Sequence, residues 1–477
     1  MSLTHSPMDT NNTTSAGSPA VTPTILVIFG ITGDLAKRYL MPSLYNLFKQ
    51  GLLHQKTEIV GISRRSIDLG ELFNSVELCV NEANNTCDPA VIEHMRTRTR
   101  VHQLDMDSTE AFTGLRELLD DIEAEQGLCM NRLYYLAIPP AAYAQVVGNM
   151  GAAGLNGSCQ HGTAMTRLLV EKPFGHDLAS AEKLIAATAE NFQEEQVFRI
   201  DHYLAKETAQ NILAFRFENP LFEAVWDARH ITAIDIVASE KIGIEGRAAF
   251  YEQQGALRDF IQNHLLQMLA IVTMDKPATL DSDGVHAAKL RLLEAVRPIT
   301  AEQVSDQASR GQYEGYRHEA GNPDSFVETY ARISTTIGTD RWQDVPVTIC
   351  TGKALAEKRT TITITFADQA TTGTNNLQFR IQPDEGIQIG LFAKKPGYDQ
   401  ALQPVTMDFS YNQNFEGAQP SAYERVLVDA IRGDRTLFAG SQEVLAAWRI
   451  VDAVVQAWTA NGDGLQTYQP GTGIDSL

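Results

Sequence analysis

Thr24-Ile25-Leu26-Val27-Ile28-Phe29-Gly30-Ile31-Thr32-Gly33-Asp34-Leu35-Ala36 is a continuous apolar, β-branched run that breaks at a glycine and turns polar. A half-solvated strand would alternate, so the unbroken run predicts a parallel strand covered on both faces. From Asp34 onward Leu40, Leu44, Leu47 and Phe48 recur at helical spacing, and Gly51 closes the pattern in the usual C-terminal role. Residues 58–62 read as a second strand, completing a strand–turn–helix–strand unit. Candidate strands at 132–137 and 167–170 alternate with helical stretches, which predicts a doubly wound α/β sheet.

Past about residue 200 the texture changes. Residues 231–238 form one β-rich run, and Thr361-Ile362-Thr363-Ile364-Thr365-Phe366 alternates with a period of two, as in a half-solvated sheet. Strand-like stretches at 377–381 and 387–392 follow, and a helical segment over 256–274 precedes them. The second half therefore reads as α+β.

A chain of 477 residues suggests two or three domains. With 43% hydrophobic and 21% charged residues, its body matches neither disorder nor a fibrous repeat. The net charge of −20 repels phosphate backbones and anionic lipid, arguing against nucleic acid and membrane as partners. An anionic small molecule would need its own cluster of basic residues. Cys79, Cys87, Cys129, Cys159 and Cys350 are odd in number, with neither a CxxC pair nor zinc-ligand spacing, and read as reduced thiols with no metal. Residues 1–23 carry no apolar h-region and read as a disordered tail, and no apolar run reaches membrane-spanning length. A cytoplasmic location is expected.

Gly30-Ile31-Thr32-Gly33-Asp34-Leu35 sits where a strand hands over to a helix, so backbone N–H groups and the helix dipole can receive a pyrophosphate. The pattern is GxxG, and any tight βα turn also favours glycine. The second strand ends in Ser63-Arg64-Arg65 rather than in an acid. A guanidinium there suits the 2′-phosphate of NADP, whereas an acid would suit the 2′-hydroxyl of NAD; a solvated basic turn is the alternative.

Asp201-His202-Tyr203-Leu204-Ala205-Lys206 concentrates an acid, an imidazole, a phenol and an ammonium where the texture changes. His, Tyr and Lys are donors that could surround a phosphate, although a solvated helix start would carry them too. Arg258-Asp259-Phe260-Ile261-Gln262-Asn263-His264 lies in the amphipathic segment. An imidazole poised by a carboxylate suits removal of a hydroxyl proton during dehydrogenation, but a lone histidine in such a helix is usually structural. Lys353, Lys358 and Arg359 add cations before the alternating strand, where exposed lysines are also ordinary.

With these stretches in place, the chain from Thr24 to about Trp458 resembles the glucose-6-phosphate dehydrogenase family. The resemblance rests on Arg199 to Glu207, Glu171-Lys172-Pro173-Phe174-Gly175, Gln262-Asn263-His264-Leu265-Leu266-Gln267-Met268, Gly352-Lys353-Ala354-Leu355 and Ala422-Tyr423-Glu424-Arg425. It implies oxidation of β-D-glucose 6-phosphate at C1 to 6-phosphoglucono-δ-lactone, with hydride passed to NADP+ (NAD as a weaker alternative), at the entrance of the pentose phosphate pathway. By position, His264 would be the general base and Asp201 the carboxylate orienting it. His202, Tyr203, Lys206 and Lys358 would hold the 6-phosphate, and Glu240 and Asp259 the sugar hydroxyls. Lys172 would reach sugar and nicotinamide, Lys353 would contact the sugar, and Gln382 would contribute nearby. Gly30, Ile31, Thr32, Gly33, Asp34, Leu35, Arg64 and Arg65 would form the cofactor site.

The implied fold is a Rossmann domain over 24–200, followed by a β+α domain over 201–477. That second domain has a broad, mainly antiparallel sheet, which makes a homodimer, sometimes doubled to a homotetramer. Three positions depart from the family pattern. Tyr39 replaces a basic residue, Ala205 a glycine, and Ile31 a smaller residue of the turn. They lead us to expect weaker substrate or cofactor binding, with a penalty of about 1 kcal/mol at Ala205 if a positive φ were needed there. The competing readings are an NAD-preferring or other hexose-phosphate dehydrogenase of the same architecture, and a sugar-phosphate sensor without turnover.

Overall fold

The structure is a computed structural model that describes residues 22–82, 87–157, 164–368, 373–415, 420–460 and 462–477. Of the tail expected over 1–23, residues 1–21 lie outside the described residues, as do Cys159 and the side chain of Cys79.

The first strands are β1 (Thr24–Phe29), β2 (Glu58–Ser63), β3 (Thr99–Gln103), β4 (Asn131–Leu136), β5 (Thr166–Val170) and β6 (Val197–Ile200). They run parallel in the order β3-β2-β1-β4-β5-β6. This is the order of a dinucleotide-binding sheet, with the direction of strand addition reversing between β1 and β4. Every residue of β1, β2 and β4 is buried, as the unbroken apolar run predicted. Phe112, Leu115 and Val146 cover one face, and Leu44, Tyr45, Phe73 and Val76 the other.

The second sheet comprises β7 (Ile231–Ser239), β8 (Ala308–Tyr313), β9 (Tyr330–Thr336), β10 (Pro346–Gly352), β11 (Arg359–Phe366), β12 (Asn376–Gln382), β13 (Gly386–Lys394), β14 (Leu402–Ser410) and, in the last part of the chain, β16 (Leu465–Tyr468). Its order is β14-β13-β12-β11-β7-β10-β9-β8-β16. Pairing is antiparallel except for β10 on β7 and β16 on β8. In β11, Ile362 and Ile364 are fully buried and Thr363 and Thr365 half-buried, so the alternation reads the two faces over 362–365, whereas at its ends Thr361 is buried and Phe366 half-buried.

The second half, expected to be one β+α domain over 201–477, returns to the first sheet near its end. Val426, Leu427, Ala430 and Ile431 of the helix Ala422–Arg432 join the apolar cluster on one face of that sheet. β15 (Phe438–Ala439) then pairs antiparallel with β6. The physical reason is that a parallel sheet needs cover on both faces and an open edge at β6 needs a partner. Local sequence does not record which distant segment supplies them. A second correction concerns the thiols: Cys129 is disulfide-bonded. That bond depends on a close approach in space, which the linear spacing of five cysteines could not reveal.

A buried ion pair fastens β15. Lys289, in the helix Ser282–Ala295, is fully buried, and its Nζ lies 2.9 Å from Glu443 Oε2. The ammonium also donates to the carbonyl of Phe438 at 3.3 Å and to Gln267 Oε1 at 3.2 Å. Burial alone would raise the Glu443 pKa, but Lys289 and His286 bring it down to about 2. Stability from this carboxylate is therefore present above its ordinary 4.5 and is lost as pH falls toward about 2. Lys289→Met should lower unfolding stability by about 3 kcal/mol, because breaking a buried pair strands a charge. Denaturant titration should show this loss at neutral pH and a shallower decline than wild type between pH 4.5 and 2.

Candidate active site

In an open parallel sheet, loops leaving the carboxyl ends of the strands converge beside the point where strand order reverses. Gly30 follows β1, Arg64 and Arg65 follow β2, Lys172 follows β5 and Asp201 follows β6, so the predicted groups leave the same edge of the sheet. The Gly30 N–H donates to the Ile62 carbonyl at 3.0 Å, and the Gly33 N–H to the Gly30 carbonyl at 2.8 Å. Gly30 has φ +84°, and a Cβ there would stand 2.5 Å from the Ala137 carbonyl oxygen, so the turn needs glycine. Ile31 is fully buried, with its side chain packed against Gly61. Asp34 is exposed, 3.6 Å from Arg38. Arg64 and Arg65 are exposed, and neither is ion-paired among the described residues.

The helical segment expected over 256–274 is present, but not as one α-helix. Gly255 (φ +65°) breaks the chain, Leu257–Leu265 is a π-helix, and Leu266–Thr273 is α-helical. The Leu257 N–H donates to Glu328 Oε1 at 3.0 Å, capping the π segment. On an α-helix residues five apart point about 140° away from each other, but the wider i→i+5 ladder brings them toward one face. Asp259 and His264 thereby both reach the cleft.

His264 Nδ1 lies 2.7 Å from Asp201 Oδ1, and both residues are 3% exposed. The same oxygen accepts the N–H groups of Tyr203 (2.8 Å) and Leu204 (3.4 Å). Burial would raise the Asp201 pKa, but His264 and these two donors hold it at about 2. The His264 pKa is lowered from 6.5, chiefly by burial, which the Asp201 charge offsets only in part. Tyr203 stacks on His264, with centroids 4.7 Å apart, and its hydroxyl accepts from Gln382 at 2.9 Å.

Lys172 Nζ donates to Asp259 Oδ1 and to the Asp259 carbonyl, both at 2.9 Å. Lys353, 2% exposed, pairs with Glu240. Burial works against the Asp259 carboxylate, yet Lys172 and Lys353 hold its pKa below the ordinary value. Both ammonium groups also lie within 6 Å of the Phe260 ring, at 5.6 Å for Lys172 and 5.8 Å for Lys353. His202 Nε2 is 3.4 Å from Glu171 Oε1, and neither ring nitrogen makes a hydrogen bond. Lys206 Nζ is 3.7 Å from Glu385 Oε1.

His264, Asp201, Lys172, Tyr203, Asp259, Lys353, Glu240 and Gln382 thus form one connected cluster, with His202 and Lys206 on the same loop. Lys358 is not drawn into these contacts; it is exposed on the segment before β11. Sequence reasoning did not assign roles to Glu171, Phe260, Tyr423 or Glu385. Glu171 stood beside Lys172 in a quoted motif, whereas Glu385 is the second of two adjacent loop acids, Asp384-Glu385, with no local signal of a role. A separate cavity of about 880 Å³ opens behind Pro173, lined by Pro139, His176, Leu257, Arg258 and Trp458, and does not reach the His264–Asp201 pair.

Comparison with known proteins agrees with this arrangement. The profile described as "Glucose-6-phosphate dehydrogenase, NAD binding domain" matches residues 27–211, and the corresponding C-terminal domain matches residues 213–474. The chain belongs to the glucose-6-phosphate dehydrogenase family. The glucose-6-phosphate 1-dehydrogenase of Chlamydia pneumoniae is 38% identical over 462 residues, covering 91% of this chain and 90% of that one. The enzyme of Bacillus subtilis (strain 168) is 36% identical, covering 94% of each. A solved glucose-6-phosphate dehydrogenase in complex with its substrate glucose-6-phosphate superposes with a TM-score of 0.87 at 32% identity, covering 95% of both chains.

The family expectation and the fold class drawn from the sequence both hold. Two of the departures are absorbed locally. Ala205 is buried with no positive φ, so the penalty expected for a left-handed alanine does not arise. Ile31 packs against Gly61, whose missing side chain makes room for it.

Gly30→Ala should combine positive-φ strain with the clash at Ala137, costing about 1–3 kcal/mol. Thermal melting should shift down, and KM for the nicotinamide dinucleotide should rise more than KM for the sugar phosphate.

Proposed function

We propose that this chain oxidises β-D-glucose 6-phosphate at C1 to 6-phosphoglucono-δ-lactone, the first step of the oxidative pentose phosphate pathway, with NADP+ as the preferred acceptor. The observation that carries the reading is the buried 2.7 Å contact between His264 and Asp201, beside Lys172 and Asp259. An ionised Asp201 can only accept a hydrogen bond, so His264 Nδ1 carries the proton and Nε2 keeps its lone pair. Nε2 takes the proton of the C1 hydroxyl as the C1–H bond breaks and the C1=O double bond forms. When bound, the oxidised nicotinamide accepts the hydride leaving C1. Asp201 stabilises the imidazolium that results and keeps the ring in one tautomer.

Asp259 and Glu240 hold sugar hydroxyls, and their lysine partners orient them. Lys172 bridges sugar and cofactor, with Lys353 and Gln382 alongside. His202, Tyr203, Lys206 and Lys358 hold the 6-phosphate. The two buried nitrogens of His202, each lacking a hydrogen bond, are the kind of group a phosphate oxygen satisfies. Residues Gly30 to Leu35 suit the pyrophosphate, since a Cβ at Gly30 would fill the cradle. The unpaired Arg64 and Arg65 suit a 2′-phosphate, which supports NADP over NAD.

In this reading residues 24–200 serve the dinucleotide and 201–477 the substrate and self-association, with 1–23 as a tail. A homodimer, or a tetramer made from two, would use the broad second sheet, whose edge strand β14 exposes Leu402 and Met407. The net charge of −20 supports a protein with neither nucleic acid nor membrane as partner, and a cytoplasmic location belongs to the same reading.

His264→Asn should lower kcat by about 10²–10⁴ while equilibrium binding of glucose 6-phosphate persists. The wild-type kcat/KM should rise with pH through an apparent pKa below 6.5, since burial lowers that of His264. Asp201→Asn should move this limb further down, because the charge that raises the imidazole pKa is gone. A limb above 6.5, or an active His264→Asn enzyme, rejects the base assignment. Replacing Arg64 and Arg65 together by Ala should lower kcat/KM for NADP+ by about tenfold or more and leave NAD+ nearly unchanged.

A further inference from the structure

Tyr39 lies on the first helix after the dinucleotide turn, where family resemblance leads one to expect a cation. Pro42 follows in the next turn; it cannot donate to the carbonyl four residues back, and its ring crowds that carbonyl. The backbone accommodates it by opening Ala36–Leu40 into a π turn, with the Met41 N–H donating to the Ala36 carbonyl. Tyr39 is 44% exposed on this wider turn.

Its ring is nevertheless engaged. Tyr39 stacks on Tyr423, with centroids 5.1 Å apart and planes 16° from parallel. Tyr423, from the helix Ala422–Arg432, in turn packs on His202 at 4.3 Å and 42°. Three segments hundreds of residues apart thus make one row of rings, ending at the imidazole that lies 3.4 Å from Glu171. Neither nitrogen of His202 makes a well-formed hydrogen bond, so the stacked rings, together with the 3.4 Å contact to Glu171, hold the imidazole in place before ligand arrives.

We propose that Tyr39 is a positioning residue for glucose 6-phosphate, acting through Tyr423 to preorganise His202, and so ties the cofactor-binding helix to the phosphate end of the substrate site. The proposal rests on the reading of His202 as a 6-phosphate contact. Holding an unsatisfied imidazole in its binding orientation removes an ordering cost that substrate would otherwise meet. A lysine at position 39 could attract the phosphate but has no planar face to stack on Tyr423.

The test is steady-state kinetics on Tyr39→Leu, Tyr39→Phe, His202→Ala and the double variant Tyr39→Leu/His202→Ala. Loss of one aromatic pair should raise KM for glucose 6-phosphate about two- to tenfold in Tyr39→Leu. Its kcat and its KM for NADP+ should stay within about twofold of wild type. Tyr39→Phe, which keeps the ring, should restore the wild-type KM. In the His202→Ala background Tyr39→Leu should have no further effect, since both changes act through one imidazole. A raised KM in His202→Ala with an unchanged KM in Tyr39→Leu overturns the proposal alone. An unchanged KM in His202→Ala overturns it together with the phosphate role on which it rests. Equal increases in both KM values for Tyr39→Leu would mean general damage to the helix, and would also overturn it.

Discussion

The buried hydrogen bond between Asp201 and His264 joins the end of the first sheet to the helical segment packed on the second, and the site is arranged around it. A carboxylate 3% exposed stays ionised only if donors replace the water it has lost. Two backbone N–H groups and one imidazole do so here, which requires β6, the loop after it and the π-helix to keep a fixed relation. β15 and the Lys289–Glu443 pair behind it brace β6 from the other side.

Around this pair the charges are arranged as neighbours of opposite sign. Lys172 holds Asp259, Lys353 holds Glu240, and Lys206 faces Glu385. In a protein with a net charge of −20, this local pairing lets cations be concentrated at one cleft without leaving any of them buried and alone. It also leaves the carboxylates ionised as acceptors for sugar hydroxyls. His202 has two ring nitrogens that make no well-formed hydrogen bond, and aromatic packing, together with the nearby Glu171, helps to hold it.

Much of this was legible along the chain. The apolar run at residues 24–29, Gly30, the absence of an acid after Ile62 and the density of polar groups from Asp201 to Lys206 all act locally. Strand burial, turn conformation and chemical type are properties of a few consecutive residues. The segment 257–265 shows where such reading stops. Its apolar pattern fits a helix, but the pattern does not separate an α ladder from a π ladder. That difference decides whether Asp259 and His264 share a face.

Local sequence accounts for the doubly wound first half, the alternation in β11, the glycine turn and the residue types that carry the chemistry. Each follows from a period or a spacing within one segment. Long-range packing brings Asp201 to His264, links Tyr39 to His202 through Tyr423, returns residues 422–439 to the first sheet and bonds Cys129. These contacts link positions from tens to hundreds of residues apart. Their formation depends on strand order, on the cover a parallel sheet requires on both faces and on how the two halves close against each other, none of which is written in any one stretch of chain.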